Sequence, residues 1–217
     1  MAKTVVHLMR HGEVYNPEGV LYGRLPGYGL SDLGHEMAKR VADWLAEQRF
    51  NITHLVASPL ERAQQTAAPI AANLGLEINI DPRVIEAANR FEGKTFGVGD
   101  GALLRPSNWW LLRNPFKPSW GEPYNEIAQR MQLAIADARA AAEGSEAVIV
   151  AHQLPIWTAR LDVENRSFVH DPRKRECSLA SLTSITFEDD EIVHLEYREP
   201  AGDLIPESLR KKFVGGA

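Results

Sequence analysis

Arg10, His11 and Gly12 follow directly on the apolar run "VVHLM", where a strand is expected to end. An arginine offers a planar fork of donors and keeps its charge at any ordinary pH. Glycine lets the backbone come close to a ligand. Histidine can attack an electrophile or carry a proton. A second set stands at "SPLERAQQTA", residues 58–67, which contains Arg62. A third stands at "VIVAHQ", where His152 closes another apolar run. Singly, each has an ordinary explanation as a satisfied loop residue or a surface charge, and His7, inside the first run, is expected to be structural. Together they place two histidines and two arginines at three strand ends. That set suits a dianionic phosphoryl group, because arginines bind its oxygens and their charge keeps a neighbouring histidine neutral and nucleophilic. The rival is a metal site made of His11, His152 and a carboxylate. No histidine spacing here matches a zinc motif, and two arginines beside a cation would repel it.

The elements that must position these groups are short. β-rich runs are expected at 4–9, 53–57, 76–80, 147–151, 181–187 and 192–197. The first, second and fourth are nearly continuous apolar runs, as for strands covered on both faces. Helical patterns lie between them. Leu33, Met37, Val41 and Leu45 recur after Ser31, a candidate cap. The stretch from Ser58 reads as a capping box with Pro59 at the first helical position, Glu61 three after the cap and Gly75 as the stop. Ile127, Met131, Ala134, Ile135 and Ala138 form a third stripe ending near Gly144. Asp189 and Asp190 read as the turn of a final hairpin. This alternation predicts an α/β fold, a three-layer sandwich whose mainly parallel central sheet is flanked by helices. Ligands bind such sheets beyond the carboxyl ends of the strands, where all three sets lie.

The 217 residues suffice for one domain, expected over 1–199, with a polar tail at 200–217. The net charge of −5 gives no electrostatic case for nucleic acid or an anionic membrane. The single cysteine, Cys177, forbids an internal disulfide, and nothing near it marks a nucleophile. The first apolar run is too short for a signal peptide or a membrane span. A cytoplasmic protein is expected. Residues 93–122 break the alternation, being rich in Gly, Pro and Trp, and read as a lid-like insertion. Trp109, Trp110 and Trp120 there have packing as their first reading. Arg105, Arg113 and Lys117 are candidate contacts to substrate. A homodimer is left open.

With these motifs in place, the sequence resembles the histidine phosphatase superfamily, the group that includes cofactor-dependent phosphoglycerate mutases. "RHGE" at 10–13 matches the family's nucleophile signature. "SPLERAQQTA" matches its Ser-Pro-x-x-Arg-x-x-x-Thr-Ala segment, and "VIVAHQ" matches the strand delivering its second histidine. "LSDLGHEMA" resembles the segment that follows the signature. The resemblance implies a phosphoglycerate mutase-like fold and a phosphohistidine on His11. Arg10, Arg62 and His152 would hold the phosphoryl oxygens, with no metal and no cofactor. It also implies an acid after the third strand, at Glu86 of "VIEAANRFEG", with Glu13 and Glu92 as competitors. Asn16 falls where the family has an asparagine, and Arg24, in the loop after the signature, could reach a substrate anion. Gln153 stands where the family usually has glycine, so its side chain could enter the pocket. Val14 replaces the usual threonine, and the loop after Glu86 is one residue short.

The family's mutase branch carries Glu-Arg-x-Tyr-Gly at the acid loop. Here "EAANRF" lacks that arginine, tyrosine and glycine, so hydrolysis of a small phosphate ester is expected. Phosphoglycerate mutase-type transfer is the alternative, and a non-catalytic binder of phosphorylated ligands is a third reading. The sequence does not name the ester.

Overall fold

The computed structural model describes residues 2–89, 92–95 and 121–206. The expected lid contacts Arg105, Arg113 and Lys117 and the three tryptophans lie outside them.

Six strands form one sheet: β1 (Lys3–Arg10), β2 (Ile52–Ala57), β3 (Ile78–Ile80), β4 (Glu146–Ala151), β5 (Leu182–Glu188) and β6 (Glu191–Arg198). Their order across the sheet is β3-β2-β4-β1-β5-β6. The first four in that order run parallel, and β5 and β6 are antiparallel to their neighbours. The helices are α1 (Asp32–Glu47), α2 (Glu61–Leu74), α3 (Tyr124–Ala141) and α4 (Gln153–Val163). The architecture is the three-layer α/β sandwich that the alternation predicts.

The apolar runs of β1 and β4 serve both faces of the sheet, which is why they do not alternate with polar residues. Val6, Leu8, Ala147 and Ile149 join one core with Ile127 and Met131 of α3 and Ile156 of α4. Met9, Val148 and Val150 join the other with Met37, Val41 and Leu45 of α1 and Ala63, Ala67 and Ile70 of α2. His7 is structural, its Nδ1 lying 2.7 Å from Ser184 Oγ and its Nε2 2.6 Å from Glu146. The hairpin turn is made at Asp189, with φ 51°.

Three local expectations change. α2 begins at Glu61, not at Pro59, and its N-cap, Leu60, offers no side-chain cap. The hydroxyl of the expected cap, Ser58, pairs with His152 Nε2 at 2.8 Å and meets the backbone only at Leu60 N, 3.3 Å away. α4 has no amphipathic stripe to announce it, because eight of its eleven residues are buried. Beyond β6 the polar-looking chain still packs: Ala201 and Ile205 are buried in the core beside Leu45. Ser31 does cap α1, its Oγ accepting from Gly34 N at 3.0 Å, and Gly75 ends α2 in the left-handed region. No described helix is long and apolar enough to cross a membrane.

Candidate active site

Three adjacent strands end side by side. Ser58 N donates to Val150 O and His11 N donates to Ala151 O, so β2, β4 and β1 deliver Ser58, His152 and His11 to one rim. The rings of His11 and His152 lie 5.1 Å apart between centroids, and both residues are fully buried. Arg10, at the end of β1, and Arg62, in the first turn of α2, are almost completely buried beside them. Glu86, in the loop after β3, is buried as well. Sequence motifs some 140 residues apart thus converge as expected.

The hydrogen bonds assign roles. His11 Nδ1 lies 2.7 Å from Gly12 O. A carbonyl only accepts, so Nδ1 carries the proton and Nε2 presents its lone pair. Arg62 Nε donates to that Nε2 at 3.2 Å, and Arg62 Nη2 donates to Gly23 O at 2.7 Å. Tyr22 supports the guanidinium from below, its ring centroid 4.7 Å from Arg62 Cζ. Arg10 Nη1 donates to Cys177 O at 2.7 Å. Among the described residues, Arg10 Nε and Nη2, His152 Nδ1 and Glu86 Oε2 are buried with no hydrogen-bond partner. Buried polar groups are nearly always paired, so four orphans converging on one site mark a place shaped for a polar ligand.

Electrostatics follows from this crowding of cations. Burial first, then the charges of Arg62 and Arg10, hold His11 well below the usual histidine range. His152 is lowered likewise, chiefly by burial and then by Arg62. Burial pushes Glu86 up, against the opposing pull of the Ala87 N–H, Arg62, Arg10 and Arg175. The site therefore holds neutral imidazoles, fixed positive guanidinia and a carboxyl group that keeps its proton more readily than usual. Among the described residues no group of three or more His, Cys, Asp or Glu side chains is arranged to hold a metal ion.

The other candidates are placed differently. Arg24 is engaged with the acid loop: its Nε donates to Glu86 O at 2.7 Å and its Nη2 to Glu122 at 2.8 Å. Asn16 closes a turn, bonding both the N–H and the carbonyl of Val20. Neither side chain hydrogen-bonds to His11 or His152. Gln153 is buried at the wall of the site, with Nε2 3.4 Å from Cys177 O. Of the competing acids, Glu13 accepts from Ser31 Oγ at 2.5 Å, and Glu92 accepts from the Arg24 backbone N–H. Cys177 is buried, its thiol pushed up to about 11 by that burial.

Several supporting residues were not expected. Thr66 Oγ1 accepts from Gly12 N at 3.1 Å, locking the signature loop onto α2. Glu122 binds both Arg24 and Arg130, which braces the backbone of Glu86. Thr66 and Ser58 lay inside the motif "SPLERAQQTA", whose spacing already held the signal. Nothing local in the sequence points to Tyr22 or Glu122.

Comparison with known proteins agrees with this geometry. A family profile described as Histidine phosphatase superfamily (branch 1) matches residues 6–200. The uncharacterized protein Rv0525 of Mycobacterium tuberculosis is 54% identical over 199 residues, covering 92% of this chain and 98% of that one. A probable phosphoglycerate mutase GpmB from an Enterobacter species is 33% identical over 161 residues, covering 70% of each chain. In structure, the phosphoserine phosphatase of Entamoeba histolytica in complex with 3-phosphoglyceric acid superposes with a TM-score of 0.73 at 22% identity, over 93% of this chain and 100% of that one. The matched span takes in all three strand ends and the loop of Glu86, and the chain belongs to the histidine phosphatase superfamily, branch 1.

Proposed function

We propose that the protein hydrolyses a small phosphate monoester through a phosphohistidine on His11, with Glu86 as the proton donor. The observation that carries this reading is the neutral His11 imidazole, whose Nε2 lone pair faces the arginine cradle. A phosphoryl group there takes up the free donors of Arg10 and draws Arg62 from the imidazole to its oxygens. Ser58 Oγ lies 2.8 Å from His152 Nε2; with the hydroxyl as donor there, the imidazole proton sits on Nδ1 and adds a further donor to the phosphoryl group.

The lone pair of His11 Nε2 forms a bond to phosphorus as the ester P–O bond breaks. The departing oxygen takes the carboxyl proton of Glu86 and leaves as an alcohol. Water then attacks the phosphohistidine, giving a proton to the Glu86 carboxylate, and the N–P electrons return to Nε2. Inorganic phosphate leaves with the enzyme restored. Arg10 and Arg62 stabilise charge on the equatorial oxygens in both steps. Every group this path needs belongs to the chain, so turnover should survive a chelator. The compartment that fits the lone buried thiol and the small polar substrate is the cytoplasm.

Phosphoglycerate mutase-type transfer is the second reading, favoured by the similarity to GpmB. The acid loop "EAANRF", without the mutase branch's arginine, tyrosine and glycine, supports hydrolysis. Rapid-quench labelling with radioactive ester decides between them. Under hydrolysis, an acid-labile, base-stable label appears on the parent, is absent from His11→Ala and passes to water. Passage mainly to added phosphoglycerate, with little free phosphate, would establish the mutase. Absence of any label on the parent would sink both.

A further inference from the structure

Among the described residues, no other side chain hydrogen-bonds to the carboxyl group of Glu86. Oε1 accepts from the N–H of the next residue, Ala87, at 2.8 Å, and Oε2 has no partner. The residue itself lies between a short 3-10 turn, Pro82–Val84, and an isolated bridge of Asn89 with Gly121, outside any helix or strand. No regular ladder fixes it. Its place is set by whatever binds the backbone on either side.

Those contacts gather on Glu122. Arg24 Nε donates to Glu86 O at 2.7 Å, while Arg24 Nη2 donates to Glu122 Oε2 at 2.8 Å. The same Oε2 accepts from Ala88 N at 3.3 Å, and Glu122 N donates to Ala88 O at 3.1 Å. Arg130, on α3, donates from Nε to Glu122 Oε1 at 2.8 Å. Its Nη1 donates to Arg83 O, three residues before Glu86. One carboxylate thus holds the acid loop before, at and after Glu86, directly and through two guanidinia. It is mostly buried, so these pairs are only weakly screened.

A second connection runs to the phosphoryl cradle. Arg62 Nη2 donates to Gly23 O at 2.7 Å, and the next residue is Arg24. Consecutive residues therefore tie the arginine that receives the phosphoryl group to the arginine that holds the acid's backbone. Proton transfer needs the acid within hydrogen-bond reach of the ester oxygen, and this link governs that separation. We propose that Glu122, acting through Arg24, is a positioning residue that places the Glu86 carboxyl group for protonation of the leaving oxygen. Arg24 then serves the acid loop and not an anion of the substrate. This rests on Glu86 being the proton donor.

The test measures phosphorylation of His11 by rapid quench, with glycerol 3-phosphate as the alkyl ester and p-nitrophenyl phosphate as the aryl ester. Glu122→Gln keeps the shape, but an amide offers one acceptor oxygen to two guanidinia and turns its own N–H groups on the other donors. With the alkyl ester, phosphorylation should slow roughly tenfold to a hundredfold, the cost of a small misplacement at the reacting group, with KM close to the parent's. With the aryl ester it should stay close to the parent's rate. Glu122→Asp, which keeps the charge, should recover part of the loss. In Glu86→Gln, adding Glu122→Gln should cost nothing further with the alkyl ester, because two changes acting through one group do not add. Arg24→Gln should repeat the pattern and replaces Glu122→Gln if that variant does not fold. Equal slowing of both esters, a loss confined to KM, or a full further loss on top of Glu86→Gln overturns the proposal while leaving hydrolysis through Glu86 intact. Equal slowing of both esters in Glu86→Gln itself would remove Glu86 as the donor and overturn the positioning role with it.

Discussion

Arg62 Nε donates to His11 Nε2 across 3.2 Å, so the guanidinium rests on the lone pair that must attack phosphorus. A bound phosphoryl group competes for that donor, and the same event frees the nucleophile and engages the clamp. The contact also keeps the imidazole neutral, because a protonated His11 would face a second cation in a buried site.

Arg62→Ala should therefore do two things at once. Losing a buried donor to the transferring group should lower kcat/KM by about a hundredfold to a thousandfold. The pKa of His11 should rise, since one of the charges depressing it is gone. Titration of the His11 ring by NMR, with and without the substitution, reads the second effect. A fall in rate with the His11 pKa unmoved would mean that Arg62 acts on substrate alone.

Ser58→Ala tests the helix cap that became a site residue. Its hydroxyl lies 2.8 Å from His152 Nε2 and accepts more weakly from Leu60 N at 3.3 Å. Removing it leaves His152 free to take the wrong tautomer. The expected loss is about tenfold in kcat/KM, the worth of one buried hydrogen bond, with a melting temperature close to the parent's. A large fall in melting temperature with an unchanged rate per folded molecule would return Ser58 to a capping role.

Ser58 also shows where sequence reading stops. Its type and the Ser-Pro-x-Glu spacing fit a capping box, and local rules cannot see that a histidine 94 positions away competes for the hydroxyl. The groups legible in the sequence sit at the ends of apolar runs, because a strand's end and a sheet's rim are fixed by hydrophobic pattern. His11, Arg62 and His152 are of that kind. Arg24 was legible as a cation in the right loop, but not as the brace of Glu86 O and Glu122. That role depends on how two irregular segments meet. α4 escaped notice because a helix buried on most sides has no period to detect.

Stability should fall in mild acid because of the two buried imidazoles. Their folded pKa values lie below 6.5, so as pH drops past 6.5 the unfolded chain binds protons that the native state refuses. At pH 5.5, one unit lower, each such group costs at most about 1.4 kcal/mol, or roughly 3 °C in a chain of this size. Glu86 works the other way. Its folded pKa is raised, so it stabilises at low pH and loses that contribution as pH climbs above 4.5. The drop in melting temperature from pH 7.5 to 5.5 should be smaller in His11→Asn and larger in Glu86→Gln than in the parent. Equal drops in all three would show that these groups titrate normally in the folded chain.

Glu86→Gln separates the two halves of the reaction. The carboxyl group is buried, with Oε1 accepting from Ala87 N at 2.8 Å and Oε2 unpartnered, and glutamine preserves the shape while removing the transferable proton. For an alkyl phosphate, whose alkoxide is a poor leaving group, phosphorylation of His11 should slow by about a hundredfold to ten-thousandfold. An aryl phosphate leaves without much help, so its phosphorylation step should be close to that of the parent. The phosphoenzyme formed from it should then persist, because the same residue must take the proton from attacking water. Rapid-quench experiments would show a burst of phenol, a long-lived label on His11 and slow release of phosphate. If alkyl and aryl esters slow equally, Glu86 is shaping the pocket and not donating a proton. If neither slows, the acid is another carboxylate, and Glu13, already joined to the signature loop and to Ser31, is the residue to substitute next.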